Sequence, residues 1–114
     1  MDAVNKFLKG TLMRFKGLFG DDIQGIRPPL ICKDGFSISV QASRFNCCEP
    51  REDGDVIYES VELGFPDMED ELIAKYAEDP DDLLHTFYDY VPVAIVNQLI
   101  EKHGGILGNN EEET

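Results

Sequence analysis

Hydrophobic residues spaced three and four positions apart mark the first ordered segment of the chain. Between residues 3 and 19 they are Val4, Phe7, Leu8, Leu12, Phe15, Leu18 and Phe19. Because this spacing places side chains on one face of an α-helix, the pattern predicts an amphipathic helix over residues 3–19. Gly20 ends it, and Pro28-Pro29 begins a new segment because proline biases its predecessor away from helix.

Alternating apolar and polar residues next predict a β-hairpin. Its strands, 30–32 and 36–42, flank Asp34-Gly35, a pair typical of tight turns between antiparallel strands. Similar patterns predict strands over 56–65 and 86–90 and a short helix over 67–77. Under this assignment, one face of the second hairpin strand carries Phe36, Ile38, Val40 and Ala42. One face of the next strand carries Val61, Leu63 and Phe65.

A second helix is predicted over Val93–His103. Pro92 precedes it, Gly104-Gly105 follows it, and Val96, Leu99 and Ile100 share one face. We therefore expect an α+β fold, with a small antiparallel sheet of three to four strands packed against this C-terminal helix. The predicted organisation is an N-terminal amphipathic helix and linker (1–27), an α+β domain (28–107) and an acidic tail (108–114).

The charge of the chain is strongly negative and unevenly distributed. It has 10 basic and 23 acidic residues, for a formal net charge of −13. Residues 49–83 hold fourteen acids against two bases, whereas residues 1–30 hold five bases against three acids. Such acidity repels nucleic acid and anionic lipid, and it favours a partner protein with a basic surface. Lysines beside Phe and Leu also suit a membrane-surface helix, but packing on the domain, a partner or a second copy is the preferred interpretation.

The cysteines favour a reducing compartment and no metal. There are three, Cys32, Cys47 and Cys48, and an odd number with an adjacent pair is a poor disulfide framework. The expected compartment is therefore the cytoplasm. Adjacent cysteines also do not fit the usual zinc spacing, and the acidic segments 52–55 and 79–82 do not match the twelve-residue calcium loop. We expect neither a metal nor a cofactor.

The sequence does not indicate an enzyme. His85 and His103 are candidate general bases, but no nucleophile motif accompanies either, and phosphate-binding glycine loops are missing. The preferred role of His103 is a cation at the negative end of the last helix. Without a set of nucleophile, base and orienting group, catalysis ranks below binding.

Several stretches of residues 28–106 resemble a family of small proteins encoded by bacteriophages and prophages. They are Pro-Pro-Leu-Ile-Cys-Lys-Asp-Gly-Phe-Ser-Ile-Ser-Val-Gln-Ala-Ser (28–43), Cys-Glu-Pro-Arg (48–51), Val-Glu-Leu-Gly-Phe-Pro (61–66), Tyr-Ala-Glu-Asp-Pro (76–80) and Tyr-Asp-Tyr-Val-Pro-Val through Lys-His-Gly-Gly-Ile (88–106). The resemblance implies a phage origin and carries over no catalytic residue. Small acidic phage proteins are often inhibitors of host defence, including anti-CRISPR proteins, so analogy favours that role.

Two binding hypotheses follow. In the first, the protein inhibits a host defence protein, such as a CRISPR effector, by covering a basic nucleic-acid-binding surface. Its contact residues are Glu52, Asp53, Asp55, Asp67, Glu69, Asp70, Glu71, Glu78, Asp79, Asp81 and Asp82. In the second, a structural or regulatory protein oligomerises through residues 3–19, with Phe7, Leu8, Leu12 and Phe15 at the contact, and its acidity serves solubility alone.

Overall fold

A computed structural model of the chain describes residues 1–108. The predicted acidic tail therefore lies outside the described residues except for Gly108. The first element is helix α1, Ala3–Gly10, and Asp2 caps it by accepting a 2.8 Å hydrogen bond from the backbone N–H of Asn5. None of the helices in the described part is long and apolar enough to cross a membrane.

The prediction of one helix over residues 3–19 is wrong beyond Gly10. Strands β1 (Arg14–Lys16) and β2 (Asp22–Gln24) instead form a two-stranded antiparallel sheet. A tight turn joins them, with Gly20 at φ +80°, and a Cβ on Gly17 would lie 2.6 Å from Ile23 Cδ1. Glycine therefore suits both turn positions, because Gly20 adopts a left-handed backbone and Gly17 leaves space for the Ile23 side chain.

The main sheet contains four strands, all paired antiparallel in chain order. They are β3 (Leu30–Ile31), β4 (Ser37–Gln41), β5 (Ser60–Gly64) and β6 (Phe87–Pro92). The predicted hairpin is confirmed, because Gly35 adopts φ +98° in the turn between β3 and β4. The strand predicted over 56–65 is shorter than expected, and the one predicted over 86–90 extends to Pro92.

Helix α2 (Val93–Lys102) lies against one face of the sheet, as predicted. Its residues Val96 and Leu99 are buried, with exposed fractions of 0% and 1%. The buried core also contains Ile38 and Val40 of β4 and Val61 and Leu63 of β5. The antiparallel sheet covered by a C-terminal helix confirms the expected α+β fold class.

Helix α1 belongs to the same core. Val4 and Leu8 are buried there, and the Val4 N–H donates a 3.1 Å hydrogen bond to Asn97 Oδ1 of α2. Arg27 also links α1 to the residue after β4, since its buried guanidinium donates hydrogen bonds to the backbone oxygens of Leu8 and Ala42. The N-terminal segment therefore contributes to the hydrophobic core of the α+β unit.

The helix predicted over 67–77 is largely absent. Only Ala74–Tyr76 is helical, and it forms a single 3-10 turn. Asp70 accounts for the difference, because its carboxylate accepts a 3.0 Å hydrogen bond from the Leu72 N–H and so offers the backbone an alternative to a helix.

Candidate functional site

The predicted contact acids divide into two groups that differ in their neighbours. Three of them, Glu52, Asp53 and Asp55, lie between β4 and β5. Asp55 Oδ2 is 3.6 Å from Lys9 Nζ, and Asp53 Oδ2 is 3.4 Å from Arg44 Nε. Bases from this chain therefore already offset part of the first group's charge.

The second group lies in the segment between β5 and β6, residues 65–86, which we term the acidic loop. It contains eight acidic residues against one basic residue, Lys75. Seven of its acids are exposed to solvent, namely Asp67, Glu69, Glu71, Glu78, Asp79, Asp81 and Asp82. Among the described residues, these exposed carboxylates make only one ion pair, the 2.9 Å contact of Asp82 with exposed His85. The acidic loop is thus the larger concentration of charge that this chain does not itself neutralise.

Backbone contacts hold both ends of the acidic loop. Asp67 exchanges two hydrogen bonds with Ser37, one of them from its own N–H to the Ser37 carbonyl. At the other end, the Glu78 N–H donates to the Phe87 carbonyl, and Ala77 pairs with Tyr88. Because the loop is tied to β4 and β6, it presents its carboxylates from a fixed frame.

Asp70 does not belong to this surface, so its assignment as a contact residue is wrong. Its exposed fraction is 7%, and its carboxylate lies 3.1 Å from both Lys102 Nζ and His103 Nε2. The other nitrogen of His103, Nδ1, is 2.7 Å from Asp34 Oδ2. His103 thus joins two carboxylates, and its ring stacks on Phe36 with centroids 4.0 Å apart.

This arrangement gives His103 a structural role. It sits at the end of α2, as its predicted role requires, but both ring nitrogens already face a carboxylate. Burial alone raises the pKa of Asp70, but hydrogen bonds from the Leu72 N–H, Lys102 and His103 outweigh it and lower that pKa. The Phe36 N–H, and then His103, lower the pKa of Asp34. No nitrogen of His103 remains free to act as a general base.

An aromatic groove lies next to the acidic loop. It has a volume of about 500 Å³, and Ser39 and Gln41 of β4 line it together with Glu62 of β5. Four exposed apolar side chains also line it: Ile26 (82% exposed), Phe45 (75%), Phe65 (49%) and Phe87 (43%). The groove combines apolar rings and a carboxylate on a single surface.

Phe65 and Phe87 are the residues at which the groove meets the acidic loop. Phe65 begins the loop, Phe87 follows its last residue, and their rings pack edge to face with centroids 5.1 Å apart. The sequence pattern placed Phe65 on one strand face with Val61 and Leu63, but Phe65 is 49% exposed whereas those two residues are buried. Its backbone adopts φ +50°, a left-handed conformation that turns the side chain out of the strand alternation.

One cluster of side chains has the donor atoms to hold a small cation. Cys47 Sγ and carboxylate oxygens of Glu62 and Asp89 all lie within 4.8 Å of one another. Partial burial, and then Asp89 and Glu62, raise the pKa of the Cys47 thiol. The nearby Asp89 also raises the pKa of Glu78 through a shared hydrogen bond. Cys32 and Cys48 lie outside this cluster and are buried.

The residues predicted for oligomer contact do not form one surface. Leu8 is buried in the core, and Phe7 is half-buried against it. Leu12 follows the end of α1, and Phe15 is 55% exposed on β1. The single apolar helix face that the pattern predicts is therefore wrong, because its members belong to a helix, a connection and a strand.

Comparison of the chain with protein-family models, with curated proteins and with solved structures finds no match.

Proposed function

We propose that this chain is a phage-encoded acidic inhibitor of a host defence protein, of the anti-CRISPR kind, which covers a basic nucleic-acid-binding surface. The observation that carries the proposal is the acidic loop, with seven exposed carboxylates and a single lysine. Inhibition occurs by occupation, without catalysis. It takes place in the cytoplasm of the host cell, in keeping with three free cysteines.

Long-range attraction supports this mode of action. A surface that collects nucleic-acid phosphates carries clustered Lys and Arg, and a complementary acidic surface both steers encounter and suppresses wrong partners. Because exposed charges are screened beyond about 8 Å at physiological ionic strength, such binding weakens with added salt. The fixed attachment of the acidic loop to β4 and β6 limits the ordering entropy of the complex.

Charge reversal within the loop tests the proposal. The partner is first captured from host lysate at two salt concentrations and identified. Its affinity is then measured for Glu69→Lys/Glu71→Lys and for a control, Glu59→Lys/Glu101→Lys, which changes the net charge equally at exposed positions outside the loop. We expect the loop variant to lose more affinity and to show a flatter salt dependence than the control. Equal losses in the two folded variants would remove the acidic loop from the interface.

A second candidate function is a structural or regulatory protein that oligomerises through its N-terminal segment. One observation favours it: Leu18 and Phe19, in the turn between β1 and β2, are 94% and 92% exposed. Such turns normally carry polar residues or glycine. Sedimentation equilibrium of the wild type and of Leu18→Ser/Phe19→Ser tests it, and a wild-type chain that is monomeric at high concentration excludes this candidate.

A further inference from the structure

The aromatic groove is unusual for a chain of this charge. Monomeric proteins generally keep contiguous exposed apolar surface small, and larger patches mark binding sites. Here three phenylalanine rings and Ile26 converge on one concavity, each more than 40% exposed. The sheet face that α2 covers lies on the other side, so the hydrophobic core does not account for these four side chains.

The backbone is built to present these rings. A non-glycine residue rarely adopts the left-handed region, and Phe65 holds that conformation at φ +50°. Gly64, its neighbour, lacks a side chain where the ring of Phe87 crosses the sheet, and a Cβ there would lie 3.3 Å from Phe87 Cδ1. Two adjacent backbone features thus place Phe65 and Phe87 side by side at the surface.

The charges around the groove determine which sign of charge an occupant should carry. Glu62 lines the groove, and Asn46 Nδ2 donates a 2.6 Å hydrogen bond to its carboxylate. The acidic loop begins and ends at the two packed rings. Arg44, a base beside the groove, stacks 4.8 Å over the ring of Phe45 and pairs with Asp53. The surroundings are therefore complementary to a cationic partner.

We propose that the groove receives one large apolar side chain from a protein segment in which lysine or arginine flanks that residue. The inference rests on the proposed function and names the anchor within that interface. A volume of about 500 Å³ accommodates such a side chain with its adjoining backbone. The flanking cations then lie over Glu62 and the acidic loop. An apolar anchor surrounded by a polar rim is the usual arrangement of binding hot spots.

Two synthetic peptides of equal charge provide the test. Both have capped ends and the sequence Lys-Arg-X-Arg-Lys, with Phe at X in one and Gly in the other. Titrations followed by nuclear magnetic resonance give their affinities and the positions of shifted amides. We expect the Phe peptide to bind about tenfold more tightly, since burying one aromatic side chain is worth at least that factor. Shifts should concentrate at Gly64, next to Phe65, and at Gly25, which also lines the groove.

Two kinds of variant separate this inference from the proposed function. Phe87→Ala, and independently the more exposed Phe45→Ala, should bring the affinity ratio of the two peptides towards one while weak salt-dependent binding persists. Glu69→Lys/Glu71→Lys should weaken both peptides and preserve the ratio. A ratio of one in the wild type, or no binding of either peptide at millimolar concentration, would overturn the groove assignment. It would leave the acidic loop to be judged by its own charge-reversal test.

Discussion

His103 Nε2 lies 3.1 Å from Asp70 Oδ2, and this contact joins the C-terminal end of α2 to the acidic loop. Asp34, in the turn between β3 and β4, approaches the same ring from its other nitrogen at 2.7 Å. Three segments distant in sequence therefore meet at one buried imidazole. The contact both fixes the loop and removes one carboxylate from the surface that the loop presents.

Removal of the Asp70 carboxylate from this contact should destabilise the protein. Asp70→Ala leaves the buried Nε2 of His103 without its hydrogen-bond partner, and an unsatisfied buried polar group generally costs about 1–3 kcal/mol. Glu69→Ala is the matched control, because Glu69 is an exposed neighbour in the same loop and such substitutions change stability by about 0.5 kcal/mol or less. Urea titrations of both variants measure the difference. Equal midpoints would mean that the imidazole contact contributes little to the fold.

The same carboxylates predict an acid limit to stability. The pKa values of Asp34 and Asp70 are lowered in the folded protein, so the folded state binds protons there less readily than the unfolded chain. Their stabilisation is present above the unfolded aspartate pKa of about 3.9 and is lost as pH falls through the lower folded values. We expect the free energy of unfolding to fall steeply below about pH 4, and less steeply in Asp70→Asn. Denaturant titrations from neutral to acidic pH measure this. The expectation is contradicted if the free energy of unfolding falls with pH at the same slope in the wild type and in Asp70→Asn.

Elements with strong local signals were predictable from the sequence. Asp34-Gly35 specified the turn between β3 and β4, and Pro92 with Gly104-Gly105 bounded α2 closely. The prediction of one helix over residues 3–19 failed because the apolar spacing there is also compatible with a short helix followed by a hairpin. In the hairpin, Phe15 pairs with Ile23 across two strands. Register between strands is a tertiary property, and spacing within one segment does not reveal it.

The candidate site was predictable only in composition. The number of acids is visible in the sequence, but Asp70 and Glu71 are neighbours with opposite environments, one buried and one exposed. The sequence pattern did not indicate the groove, because the left-handed backbone of Phe65 breaks the strand alternation that grouped it with Val61 and Leu63. An aromatic residue gives no local signal for that conformation, which favours glycine and asparagine.

The N-terminal helix should prove essential for stability. Leu8 is 1% exposed in the core, so Leu8→Ala should cost about 2–5 kcal/mol, the usual range for a buried leucine. Phe15→Ala is the comparison, since Phe15 is 55% exposed on β1 and its truncation should change stability little. Thermal and urea unfolding of both variants provide the measurement. A mild effect of Leu8→Ala would instead restore α1 as a detachable element that serves a partner or a second copy.

Protein purified without chelator should contain no stoichiometric zinc. The cluster near Cys47 offers zinc a single thiol and two carboxylates, those of Glu62 and Asp89, and no histidine. Structural zinc sites also take four ligands, usually two or more of them cysteine or histidine. Elemental analysis decides the matter. One zinc per chain, lost in Cys47→Ser, would instead assign the cluster of Cys47, Glu62 and Asp89 as a metal site.

Helix α2 offers the sharpest comparison of two faces of one element. Leu99 is 1% exposed within the core, whereas Glu101 is exposed. The short strands of the main sheet need a cover, because an apolar sheet face is unstable in water, and α2 supplies it together with α1. Leu99→Ala should therefore cost about 2–5 kcal/mol, a large share of the roughly 5–15 kcal/mol available to a domain of this size.

Glu101→Ala should leave the free energy of unfolding nearly unchanged, because surface substitutions away from special contacts usually change it by about 0.5 kcal/mol or less. Both substitutions introduce alanine into the same helix, so the difference between their effects on stability reports burial and not helix propensity. Urea titrations at one pH give that difference directly. If the two substitutions proved equally mild, α2 would be a surface element in the free protein, and the proposed partner interface would move from the acidic loop to this helix.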